Sequence, residues 1–173
     1  PLYRNKRHYF FDWCEIGSIY GSPADCIWSG GRISYVNHDP DKVFTFMKDF
    51  NISASLTFSN SMIRQENLSD LRCNELCRLL SEVDGNGVIV HSDLLLEYLQ
   101  LNYKELYYVS STTKVITDFP QFHDELKREE FRYVVPDFRL NKDFDNLRQL
   151  DSFEKNKVEF LCNECCYIGC KDR

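Results

Sequence analysis

Short apolar runs alternate with amphipathic stretches along most of this chain. The runs are 25–29 (DCIWS), 52–58 (ISASLTF), 87–91 (GVIVH), 106–110 (LYYVS), 131–135 (FRYVV) and 157–162 (KVEFLC). Each is short, rich in β-branched or aromatic residues, and bounded by Gly, Asn, Asp or Ser, the pattern of buried strands. Between them the apolar positions fall at helical spacing over 40–50, 68–83, 92–101, 118–127 and 142–150. Pro40 suits a first helical turn, and Val43, Phe46, Met47 and Phe50 share a face. Leu68, Leu71, Leu76, Leu79, Leu80 and Val83 do the same before the stop at Asp84-Gly85-Asn86-Gly87. Ser92, Asp93 and Asp118 read as helix caps.

The strand starts recur about every 26 residues. Strands alternating with helices at this spacing predict parallel pairing through helical crossovers. The expected fold is therefore α/β, a single domain of repeated βα units. It forms either an open sheet or a partial or complete TIM-type barrel, with helices outside. A full barrel usually takes about 250 residues, so six units in 173 residues read as a fragment, or as a barrel lacking its last two units.

Composition narrows the function classes. A formal charge of −6 disfavours a broad nucleic-acid surface. Neither a membrane-length apolar run nor a signal-peptide pattern is present, which points to a cytoplasmic protein without membrane contact. Open strand edges in a fragment would favour self-association.

In both architectures chemistry gathers at the carboxyl ends of the strands. The residues there are Trp28, Ser29 and Arg32; Ser59 and Asn60; His91, Ser92 and Asp93; the run Ser110, Ser111, Thr112, Thr113 and Lys114; Asp137 and Arg139; and Asn163 and Glu164. One helix cap does not need the four hydroxyls of the Ser/Thr run. The turn at Gly30-Gly31-Arg32 is either a plain tight turn or an anion contact. Of the four histidines only His91 sits at a strand end, and they form no cluster along the sequence.

Eight cysteines occur, four of them within nine residues: Cys162, Cys165, Cys166 and Cys170. In a reducing compartment such crowding favours metal binding or thiol chemistry over disulfides. An iron–sulfur cluster, a zinc site and metal-free thiols all stay open. Cys165 and Cys166 are adjacent and point apart on an extended chain, so at most three of the four would share an ion. Cys73 and Cys77, four residues apart on one predicted helix, and Cys26 on a predicted strand read as core residues. No HExxH helix, GxSxG elbow or phosphate-cradling glycine loop occurs.

Several of these segments resemble, in order, those of peptidase family U-thirty-two, the collagenase-like proteases. Residues 24–31 (ADCIWSGG) are similar to the family's GADAVYLGG first strand. Residues 55–61 (SLTFSNS) place Asn60 at a family Asn. Residues 87–93 (GVIVHSD) and 133–140 (YVVPDFRL) resemble two further strand ends. Residues 110–113 stand where the family has an STQ strand end, with Thr113 departing from Gln. Residues 158–173 bring Cys166, Cys170 and Arg173 into register. The resemblance implies a barrel-like fold and, in several members, a 4Fe–4S cluster. Those members serve in oxygen-independent hydroxylation of ubiquinone precursors or RNA bases; other members are described as proteases. It implies Cys166 and Cys170 as ligands; Cys162 is a third candidate metal ligand, though neither it nor Cys165 matches a family cysteine. Asn60, Ser110, Ser111, Thr112, Asp137, Asn163, Glu164 and Arg32 would line a pocket for a small-molecule or modified-base substrate. Hydrolysis of peptides and a non-catalytic binding module are the competing readings.

Overall fold

The run 52–58 becomes an interior strand of the sheet: β2 (Ser53–Phe58) pairs on both sides, with β1 (Ser18–Gly21) and β3 (Gly87–Val90). β4 (Tyr107–Ser110) and β5 (Tyr133–Val134) follow, and every pairing is parallel in the order β1-β2-β3-β4-β5. A single parallel bridge, Val134 to Val158, continues beyond β5. These relations come from a computed structural model that describes residues 5–30 and 39–162.

Sequential neighbours in an all-parallel sheet require the chain to wind in one direction. Right-handed crossovers then place all the helices on one face. The core follows that rule. Ala54, Leu56, Phe58, Val88, Val90, Tyr108 and Val134 form one apolar cluster with residues from four helices: Phe44, Leu76, Leu95 and Phe122 are examples. The helices are α1 (Pro40–Asp49), α2 (Leu71–Ser81), α3 (Asp93–Asn102) and α4 (Phe119–Lys127), with two short ones, α5 (Phe144–Leu147) and α6 (Ser152–Lys157). Their starts are fixed by caps. The side chains of Asp39, Asp70, Ser92 and Asp118 accept from the backbone N–H groups of Asp41, Cys73, Leu95 and Gln121.

The opposite face carries a separate, smaller cluster of Ile89, Val109 and Val135, with Tyr107, Tyr133 and Leu161 packed against it. The structure is thus α/β with a five-stranded parallel sheet layered by helices, wound in the sense that a barrel needs. Closure into a barrel is not seen: among the described residues β1 pairs with β2 alone. No helix among the described residues is long and apolar enough to cross a membrane.

Buried Asn86 joins the two layers at the amino end of β3. Its Oδ1 accepts from Ala54 N at 2.8 Å and its Nδ2 donates to Leu80 O at 3.0 Å. Leu80 O also accepts from Val83 N at 3.5 Å, so Asn86 adds a shorter bond to the last carbonyls of α2 while it engages the backbone of β2.

Four sequence expectations change. The helix expected over 142–150 is a 3-10 turn at Phe138–Lys142 followed by the short α5. Residues 25–29 are not a strand. Ile27–Ser29 is a 3-10 turn, and β1 lies earlier, at Ser18–Gly21. Residues 157–162 hold only the bridge at Val158, because Lys157 ends α6 and its Nζ donates to Leu126 O and Arg128 O, closing the end of α4. Cys26 and Cys73 are joined by a disulfide, where core thiols were expected. Cys77 is a buried thiol, as predicted, and burial pushes its pKa up.

Candidate functional site

The four hydroxyls after β4 divide into separate roles. Ser110 shares the outer face with its register partners Val90 and Val134, and donates to Glu125 Oε1 at 2.5 Å. Ser111 lies on the inner face. Its Oγ accepts from Thr113 N at 3.2 Å and sits 2.8 Å from Thr113 Oγ1. Thr112 donates to Pro136 O at 3.1 Å, tying this turn to the end of β5. Thr113, only 4% exposed, stands 2.9 Å from His91 Nδ1. The 3-10 turn Thr112–Lys114 makes these reaches possible, because it folds the run back on itself at the strand end.

His91 extends β3 by one residue: its N–H donates to Phe58 O at 3.2 Å. Alternation from Val90, on the helix side, puts its imidazole on the inner face with Ile89. Burial lowers its pKa, the Lys114 charge lowers it further, and Asp93 opposes them. The imidazole is therefore neutral at pH 7.

Beneath this edge lies a group of charges. Glu125 Oε1 is 2.6 Å from Lys114 Nζ, and Glu125 Oε2 is 3.4 Å from Arg128 Nη1. Asp93 is 2.9 Å from Arg128 and 3.6 Å from Lys114. Burial alone would raise the Glu125 pKa. Hydrogen bonds from Lys114 and Ser110, with both nearby cations, outweigh burial and hold its carboxyl below the ordinary range. Asp93, expected as a cap, spends its carboxylate here, and Ser92 does the capping. Glu125 was missed at the sequence level; a glutamate in the last turn of a helix gives no sign that it turns inward.

The remaining predicted pocket residues are spread over the same edge. Asn60 is a tether: its Nδ2 donates to Ile27 O at 2.7 Å and its Oδ1 accepts from Met62 N at 2.8 Å. Ser59 donates to Ser29 O at 3.2 Å. Together they clamp the 27–30 segment over the end of β2. Gly30 is in the left-handed region at φ 69°, and a Cβ there would come within 2.9 Å of Asn60 N. The approach needs glycine on both counts. Trp28 is fully buried and donates to Asn67 O at 2.8 Å. Asp137 is buried, accepts from Arg139 N at 3.0 Å and pairs with the Arg139 guanidinium at 3.0 Å.

Arg32, Asn163, Glu164, Cys165, Cys166 and Cys170 lie outside the described residues. Cys162 is exposed, with its Sγ 3.9 Å from Phe160 O. Among the described residues no three His, Cys, Asp or Glu side chains converge as a metal site would require. One exposed thiol does not make a cluster site.

This chain matches no family model, no curated protein and no solved structure.

Proposed function

We propose that this chain is an enzyme, or part of one, resembling the iron–sulfur hydroxylases of the U-thirty-two group. It acts on a small-molecule or modified-base substrate at the carboxyl edge of its parallel sheet. One observation carries the reading. The strands are wound in barrel order, and a neutral imidazole, buried hydroxyls and balanced charges gather at the one edge where such folds place their chemistry. In this reading the Cys162–Cys170 segment supplies the iron ligands, with Cys166 and Cys170 first among them. An intact cluster there would bring the redox chemistry. The residues of β3, β4 and β5 would bind and orient the substrate. A cytoplasmic setting is part of the same proposal, and it requires the Cys26–Cys73 disulfide to persist in a reducing compartment.

The test is iron and acid-labile sulfide after anaerobic purification. Both should be present, with a visible absorbance that is lost in Cys166→Ala. Stoichiometric zinc without sulfide refutes the iron–sulfur reading.

A further inference from the structure

At the amino ends of the strands, opposite the candidate site, the sheet borders an open cavity of about 480 Å³. That size falls within the roughly 300–1,000 Å³ of small-molecule sites. Ser18 of β1 and Val158 of the terminal bridge both line it, so the sheet curves round it and both of its edges meet one space. None of the residues assigned to the carboxyl edge lines this cavity.

One wall of the cavity is a built mount for a cation. Gly87 has no side chain, and a Cβ there would collide with the Tyr107 ring. The ring can therefore lie across β3, with its Oη 3.0 Å from Ser55 Oγ on β2. Tyr133 stands edge-on to it, at 90° with 6.1 Å between centroids. The Arg132 guanidinium sits over both rings, 4.8 Å from the Tyr107 centroid and 5.4 Å from that of Tyr133. Stacking engages the flat face of a guanidinium and leaves its N–H edge available. Among the described residues that edge has no carboxylate partner.

Two carboxylates border the same cavity. Glu159 does so beside the terminal bridge, and Glu15 in the segment before β1. The backbone of Glu159 is fixed by its N–H, which donates to Val134 O at 3.1 Å. Burial raises the Glu159 pKa and no cation offsets that shift. Arg132 and the two glutamates thus face one cavity without pairing to each other. A fixed guanidinium presents two parallel N–H groups that fit a carboxylate. A simple anion here would meet the field of both glutamates, and a simple cation that of Arg132. A ligand that carries both signs satisfies all three groups.

We propose that this amino-end cavity binds a zwitterion of the amino-acid class, with Arg132 taking its carboxylate and Glu159 and Glu15 its ammonium group. Tyr107 and Tyr133 position the guanidinium, and Gly87 and Ser55 position the Tyr107 ring. The site is separate from the carboxyl edge and does not rest on the function proposed for it.

The experiment is NMR of the Tyr107 and Tyr133 ring resonances in the full chain at pH 7. The probes are glycine and 4-aminobutyrate, which hold their charges at two separations, and acetate, methylammonium and inorganic phosphate. At least one of the two zwitterions should shift both rings saturably, with a Kd about tenfold or more below those of acetate and methylammonium, the scale of one charge-assisted hydrogen bond. Arg132→Gln should abolish the response. Glu159→Gln should bring the zwitterion down to the affinity of acetate and leave acetate binding in place. Circular dichroism checks that both variants fold, and the wild-type comparison needs no variant. No saturable response to either zwitterion, acetate or phosphate binding as tightly as the zwitterions, or zwitterion binding unchanged in folded Glu159→Gln overturns the proposal. Iron does not enter the readout, so the iron–sulfur reading and this site fail separately.

Discussion

Glu125→Leu removes the carboxylate on which the underside of the candidate site depends. Glu125 has 10% side-chain exposure and Lys114 13%. This is a buried pair, for which losing one partner costs about 3–5 kcal/mol because the other charge is left in the interior. Two effects pull in opposite directions. Ser110 loses its acceptor, and an orphaned buried hydroxyl adds about 1–3 kcal/mol. Lys114 keeps Asp93 at 3.6 Å and the Phe131 ring at 4.8 Å, which recovers part of the loss. The expected net is about 4 kcal/mol, a large share of the roughly 5–15 kcal/mol that a domain possesses. Urea denaturation followed by circular dichroism measures it. In the double variant Glu125→Leu/Lys114→Met no charge is stranded, so its loss should fall short of the summed single losses by at least about 1 kcal/mol. The pH dependence has a definite sign. A carboxyl held below its ordinary pKa contributes fully above the unfolded value of about 4.3. That contribution fades as the pH falls through the lower folded value. The gap between wild type and Glu125→Leu should therefore narrow on acidification. A gap below about 1 kcal/mol at pH 7, or one that widens in acid, would refute the argument.

Thr57→Val should leave stability unchanged or raise it by about 1 kcal/mol in the same denaturation assay, since it removes a buried unpaired hydroxyl at constant shape. Gly87→Ala should cost about 1–3 kcal/mol: a Cβ at Gly87 falls 2.5 Å from the Tyr107 ring, which must move and give up its 3.0 Å hydrogen bond to Ser55. Reducing the Cys26–Cys73 disulfide, which closes a span of 47 residues, should cost about 4 kcal/mol on the chain-entropy estimate. A thermal melt with and without dithiothreitol reports the loss, and Cys73→Ser should make the two melts coincide.

Strands β2, β3 and β4 and helices α1 to α4 were legible from their periods, with Ser92 and Asp118 as caps, but the inward faces were read less well: α1 buries Phe44 while Phe46 and Phe50 are exposed, and Leu71 of α2 is 87% exposed. β1 was not legible. Its four residues are all exposed at the sheet edge, so no burial pattern marks them. The run DCIWS imitates a strand through its apolar residues, yet Trp28 reaches the core from a single 3-10 turn. The Cys26–Cys73 link spans 47 residues, and spacing alone does not pair eight cysteines. At the site, the strand-end rule found His91 and the Ser/Thr run. It could not find Glu125, whose role depends on where α4 lands.

The misplaced first strand bears on the family resemblance as well as on the fold. Residues 24–30, the stretch similar to the family's first strand, lie in the connection after β1 and rest on the end of β2. Asn60, which takes a family position, spends both ends of its amide holding that connection. Among the described residues, the end of β2 therefore offers the clamp but not the chemistry. Across on β3, His91 is the partly exposed polar side chain that this edge presents. The disulfide reinforces this division: Cys26 immediately precedes the clamped turn and Cys73 sits in the first turn of α2, so the connection is fastened from both sides. Asn60→Ala should then behave as a loss of anchoring that loosens the 27–30 segment, whereas His91→Gln should leave that segment in place.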